Sequence, residues 1–287
     1  MLEQAPRPAP AAGEVLVEVH AAAITFDELT WEETWSHLPT IPSHEMSGTV
    51  FALGAGVTDW SVGDEVYGLI RFDRDGAAAE FVALPSADLA ARPRTVPHAV
   101  AAALPLAGLT AWQALVDHAH VAAGEHVLVL GGAGGVGALT VQLADQLGAH
   151  VSTTVRSDQA RDLASGLGAE QIIDTRTTAT PQGCFDVVID TVGGDMLRAG
   201  FAATRPGGRL VTLSAPPPDG LADEHGITAT FFIVTPDTGE LAELATRLDA
   251  GRLQVQLAAT FDLTQGRQAY ESKARHLPGK TVLVVKD

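Results

Sequence analysis

Gly132, Gly134 and Gly137 stand at the spacing G-x-G-x-x-G, whose chemistry is the binding of a pyrophosphate by main-chain N–H groups at the start of a helix. Glycine serves there because it turns tightly, lets the backbone approach the phosphates and lets the helix pack close to its strand. Gly135 and Val136 lie within the same turn. An NAD site presents a carboxylate to the ribose hydroxyls roughly 20 residues further on. Nineteen residues past Gly137 this chain has Arg156, with Ser157 beside it and Arg161 a turn later. Donors and positive charge at that point suit a 2′-phosphate, so the expected cofactor is NADPH. Asp158 is the nearby carboxylate that a loop shift could bring into the site instead. FAD uses similar turns, usually near the chain start rather than behind a β-rich segment, which favours nicotinamide.

The elements needed to hold this turn are legible around it. A strand is predicted at 127–130, a helix at 136–147 and a strand at 151–155, which is a βαβ unit. The same grammar continues with a helix near 160–166 and strands at 171–173, 187–190 and 209–213, the last after Pro206-Gly207-Gly208. Such alternation predicts an α/β fold with a parallel, doubly wound sheet. The first third reads differently, as short strands at 14–20, 46–53 and 81–84 separated by turns. It suits a small β-barrel-like domain. Past Gly239 come a helix to Ala250, a strand at 255–260, a helix at 264–275 and a strand at 281–285, part of which is expected to rejoin the first domain.

Composition narrows the partners. Asp and Glu number 35 against 18 Lys and Arg, a net charge of −17, which repels nucleic acid and anionic lipid. A small-molecule substrate is expected, with no nucleic acid and no membrane. The apolar stretch 99–112 contains Pro105 and is too short to cross a bilayer, so it reads as a buried segment. The proline- and alanine-rich start lacks the basic and apolar regions of a secretory signal, and a cytoplasmic location is expected. Cys184, the sole cysteine, permits no internal disulfide and belongs to no zinc-type cluster.

Gly124-Glu125-His126-Val127-Leu128, then Gly131-Gly132-Ala133-Gly134-Gly135-Val136-Gly137 and Gln142, resembles the quinone oxidoreductase/zeta-crystallin signature of the medium-chain dehydrogenase/reductase superfamily. The chain departs from that signature at Asp145. Further matches are Ile41-Pro42-Ser43-His44-Glu45-Met46-Ser47-Gly48, Val62-Gly63-Asp64-Glu65-Val66-Tyr67-Gly68, Leu109-Thr110-Ala111-Trp112, Asp186-Val187-Val188-Ile189-Asp190 and Pro278-Gly279-Lys280, and together they cover nearly the whole sequence. The resemblance implies a GroES-like substrate domain from 1–97 plus 254–287, short at its N-terminus, and a Rossmann domain at 98–253. It also implies hydride transfer, with Thr110 near the nicotinamide amide, Val136 against its ring and Tyr67 lining the cofactor side of a cleft. Relatives often dimerise through the cofactor domain, and the β-prone 228–234 is the expected edge.

His44-Glu45 looks like the ligand motif of the zinc-dependent alcohol dehydrogenases, but 21–27 offers no cysteine where that group supplies one. No metal is expected. Without a Lewis acid the easier chemistry is reduction of an activated acceptor, a quinone or an α,β-unsaturated carbonyl. Thr25, Asp27, His44 and Tyr67 are the candidate proton sources. Trp31, Trp35, Phe72 and Phe81 could wall a substrate pocket, and Trp31-Glu32-Glu33 with Trp35 predicts a loop over the cleft. A cofactor-binding scaffold or sensor without turnover, or a member repurposed for a biosynthetic pathway, is the alternative.

Overall fold

The structure, a computed structural model, describes residues 3–31, 40–272 and 277–286 and divides into two compact units. The first comprises Met1–Leu109 with Thr235–Asp287, and the second Thr110–Val234. Glu32, Glu33 and Trp35 of the expected loop lie outside the described residues. No described helix is long and apolar enough to cross a membrane.

The first unit is a β-rich body in the order β12-β13-β1-β2-β3-β5, with β4 also on β1. Its strands are β1 (Glu14–Ile24), β2 (Glu45–Leu53), β3 (Glu65–Leu69), β4 (Phe81–Pro85), β5 (Leu89–Ala91), β12 (Leu257–Asp262) and β13 (Lys280–Val284). β1 is longer than its alternation predicts because irregularities after Leu16 and Val19 let it bend between β4 and β13. Val15, Val17, Val19, Met46, Val50, Val66, Val82 and Leu84 fill the interior. The C-terminal segment rejoins the N-terminal one as expected, Ile24 pairing with Thr281.

Helix α1 (His98–Ala102) lies on this sheet, α2 (Pro105–Gln113) follows it, and α7 (Thr238–Asp249) packs near β5. The apolar stretch is therefore a pair of buried helices. Asp249 accepts from the amides of Arg94 and Thr95, so α7 belongs to the β-rich unit although it follows the Rossmann strands in sequence. α8 (Gly266–Glu271) lies beside β12 and β13.

The second unit is a parallel sheet ordered β11-β10-β9-β6-β7-β8. Its strands are β6 (His126–Leu130), β7 (His150–Val155), β8 (Gln171–Asp174), β9 (Phe185–Asp190), β10 (Thr204–Thr212) and β11 (Thr228–Phe231), with α3 (Gly135–Gln146), α4 (Asp158–Ser165), α5 (Gly194–Ala203) and α6 (Leu221–His225) between them. β6, β7 and β8 run outward one way and β9, β10 and β11 the other, so the order reverses between β6 and β9. Ligands of open α/β sheets bind at this switch point, beyond the carboxyl ends of the strands. The Pro206-Gly207-Gly208 turn is an irregularity inside β10, between Thr204 and Arg209, rather than a break before it.

Candidate functional site

The glycine turn leaves β6 at the switch point. Gly131 has φ +86, which a side chain would strain. A Cβ at Gly132 would lie 1.9 Å from Thr153 Oγ1, and one at Gly137 2.1 Å from the Gly131 carbonyl oxygen. The chain's own packing therefore requires both glycines. Gly134 is exposed, and a Cβ there would meet only Gly131 O, at 3.4 Å. The chain's own packing does not require glycine there. Gly134 caps α3, whose first intrahelical bond runs from Ala138 N to Gly134 O. The amides of Gly135, Val136 and Gly137 precede that bond, so they and the helix dipole are available to a phosphate.

Across the switch, the carboxylate of Asp190 at the end of β9 is fully buried. It accepts from the amides of Val192 and Gly193 and the hydroxyls of Thr212 and Ser214, all at 3.0–3.2 Å. Thr191 Oγ1 donates to Leu130 O, and Val192, half exposed, stands against Gly131. The matching stretch 186–190 ends on Asp190, but its sequence assigns that carboxylate no role. Its signal is an aspartate ending an apolar strand before Gly193-Gly194.

At the carboxyl end of β7, Arg156 is exposed and engages no side chain among the described residues. Ser157 caps α4 by accepting from Ala160 N at 3.1 Å, which leaves its hydroxyl proton to donate outward. Arg161 Nη2 lies 3.4 Å from Asp174 Oδ2. Arg176, on the turn after β8, binds the same carboxylate through Nε and Nη2. Its guanidinium holds the Asp174 carboxyl well below the usual carboxylate range. Thr110 is buried in α2, and Val136 is half-buried in the first turn of α3.

The catalytic candidates of the β-rich unit separate into different surroundings. Thr25 is half-buried and accepts from Lys280 Nζ at 3.3 Å, so its own proton is free to be donated. Lys280 also forms a buried ion pair with Glu45, whose carboxyl is pushed up by burial and held by that lysine. Asp27 is exposed in a short 3-10 turn, Phe26–Thr30. His44 is buried with both ring nitrogens occupied, Nδ1 facing Glu28 Oε2 at 3.1 Å and Nε2 facing the carbonyl of Arg74 at 3.3 Å. Glu28 further accepts from Ser43 N and the hydroxyl of Tyr270. Ser43 adopts φ +76, with its hydroxyl donating to Ala23 O.

Tyr67 is fully buried, its hydroxyl donating to the carbonyl of Leu241, and burial raises its pKa far above the tyrosine range. That geometry makes Tyr67 an anchor between β3 and α7 rather than a proton source. Trp31 and Phe72 pack edge to face beside His44, whereas Phe81 packs edge to face on Phe51 under the Arg7 guanidinium.

Comparison with known proteins matches residues 11–94 to the alcohol dehydrogenase GroES-like domain and 167–283 to a zinc-binding dehydrogenase family. The chain is 30% identical to a probable zinc-binding oxidoreductase, mitochondrial, of Arthroderma benhamiae, over 99% of this chain and 92% of that one. It is 31% identical to an NADPH-dependent alkenal/one oxidoreductase, chloroplastic, of Arabidopsis thaliana, over 94% and 72%. Among solved structures, the quinone oxidoreductase of Coxiella burnetii superposes with a TM-score of 0.88 at 29% identity, covering 98% of this chain and 93% of that one.

Proposed function

Because the chain belongs to the medium-chain dehydrogenase/reductase superfamily, in its quinone oxidoreductase-like branch, and so is an oxidoreductase that uses a nicotinamide cofactor, we propose that it is an NADPH-dependent, zinc-independent reductase of quinones or α,β-unsaturated carbonyls. The carrying observation is the switch-point turn, where Gly134 is open while Gly132 and Gly137 are packed. A pyrophosphate on the amides of Gly135, Val136 and Gly137 uses that opening. Arg156, Ser157 and Arg161 then follow at the ribose end, with Arg156 free to meet a 2′-phosphate. Thr110 and Val136 serve the nicotinamide.

Zinc independence is supported by His44. A ring nitrogen that binds zinc must face the metal with its lone pair, and an oxygen stands in front of each nitrogen of His44 instead, from Glu28 and from the Arg74 carbonyl. Metal analysis of the purified protein is expected to find no stoichiometric zinc. When bound, NADPH would supply a hydride to the acceptor, and the chain's part is to position it and stabilise the oxygen that gains charge. Thr25, oriented by Lys280, is the favoured donor to that oxygen, with Asp27 as the exposed alternative.

The direct test follows the absorbance of the reduced nicotinamide across a panel of quinones, enones and enals. Turnover with at least one class is expected, and binding of NADPH without any turnover would favour a scaffold. Arg156→Asp is expected to weaken NADPH by about tenfold or more while changing NADH little, since a charge-assisted phosphate contact is worth ~1.5–3 kcal/mol. Equal losses for both would remove the 2′-phosphate assignment.

A further inference from the structure

We propose that Arg176 is a further cation for the ribose 2′-phosphate beside Arg156 and Arg161 and that Asp158 holds it in the free protein, so that an exchange of carboxylate for phosphate on one guanidinium sets the choice between NADPH and NADH. This rests on the nicotinamide reading above.

β7 and β8 are neighbouring parallel strands in which Val155 is paired with Asp174, and Thr175 N donates to Val155 O at 2.9 Å. Arg156 and Arg176 therefore each follow the carboxyl end of one of two adjacent strands, at the position where the ribose of a dinucleotide is read. The two carboxylates on Arg176 are unequal. Asp174 is 6% exposed and grips the arginine three ways, through its amide at 3.0 Å, Nε at 2.9 Å and Nη2 at 2.6 Å. This fork fixes the plane of the guanidinium. Asp158 is 85% exposed and makes a single contact, to Nη2 at 2.6 Å. An exposed single ion pair contributes little and exchanges readily. An incoming phosphate dianion would displace Asp158 and leave Asp174, which then acts as a positioning residue. With NADH no phosphate competes, and Asp158, in the first turn of α4, keeps Oδ1 on Arg176 and offers its other carboxylate oxygen to the ribose hydroxyls. Both cofactors are thereby read by the same pair.

The test is calorimetric titration of the full chain with 2′,5′-ADP and with 5′-ADP. Arg176→Ala is expected to weaken 2′,5′-ADP about tenfold and 5′-ADP less than twofold, with Arg176→Lys between wild type and alanine because it keeps the charge and loses the fork. Asp158→Asn is expected to tighten 2′,5′-ADP and to weaken 5′-ADP. Since Asp158 is exposed, that variant decides the matter even if Arg176→Ala disturbs folding, which a thermal midpoint will reveal. Unchanged 2′,5′-ADP binding in Arg176→Ala, or parallel changes for both nucleotides in either variant, would overturn the exchange. If the wild type binds both nucleotides and the variants do not discriminate, only this inference falls; if it binds neither, the nicotinamide reading falls with it.

Discussion

Gly134 and Gly137 lie three residues apart in one turn, yet alanine should destabilise the fold at only one of them. At Gly137 the new Cβ collides with a carbonyl oxygen of the turn, and backbone cannot retreat cheaply, so a loss of about 1–3 kcal/mol of stability is expected together with loss of cofactor binding. At Gly134 the φ is −74 and the space is open. Gly134→Ala should leave the unfolding midpoint in urea nearly unchanged and weaken NADPH about tenfold, because the methyl would enter the space of the proposed pyrophosphate. Paired denaturation and titration of both variants check this. His44 teaches the same lesson: in sequence it resembles a metal ligand, and only its partners Glu28 and Arg74 show that its nitrogens are committed. Glu28, His44 and Tyr270 are brought together from distant parts of the chain, and no local pattern announces such a meeting.

Elements explain what was legible and what was not. The βαβ unit around the glycine turn was readable because strand, turn and helix are contiguous and their periodicities differ. The return of the C-terminal segment to the first domain was readable from its strand pattern and the family resemblance. The Asp190 turn was not, since its meaning depends on Thr212 and Ser214 from the next strand. Asp190→Ala would take the shared acceptor from two amides and two hydroxyls beside the glycine turn, and a loss of about 2–4 kcal/mol is expected by chemical denaturation. Another element-level device holds α1. Its His98 ring stacks on His20 of β1 at 4.1 Å and faces Ser47, with Glu65 and Arg92 beside it and Glu18 and Lys286 beyond. Burial, then the neighbouring His20 and Arg92, push the His98 pKa down to about 4. The folded state therefore favours neutral His98, so its contribution is full above the unfolded value near 6.5 and is lost as pH falls toward 4. His98→Gln should flatten the fall of thermal midpoint across that window.

For the whole molecule, β11 is an outer strand of the Rossmann sheet, and Ile233 just beyond it is exposed. An outer strand with an exposed apolar residue beside it invites pairing with a second copy, and a homodimer through the cofactor unit is the proposal. Size-exclusion chromatography is expected to report a dimer, and Ile233→Asp, which puts a charge on this exposed edge, a monomer.

The placement of β13 beside β1 has a consequence for how the protein is made. Ile24 waits for Thr281, a separation of roughly 260 residues, so at ribosomal speeds of about 5–20 residues per second the first strand emerges many seconds before its neighbour exists. The dinucleotide-binding segment is contiguous and can close during that interval. On the ribosome, then, the cofactor unit would mature ahead of the β-rich unit, and the waiting edge of β1 is where a nascent chain would need shelter.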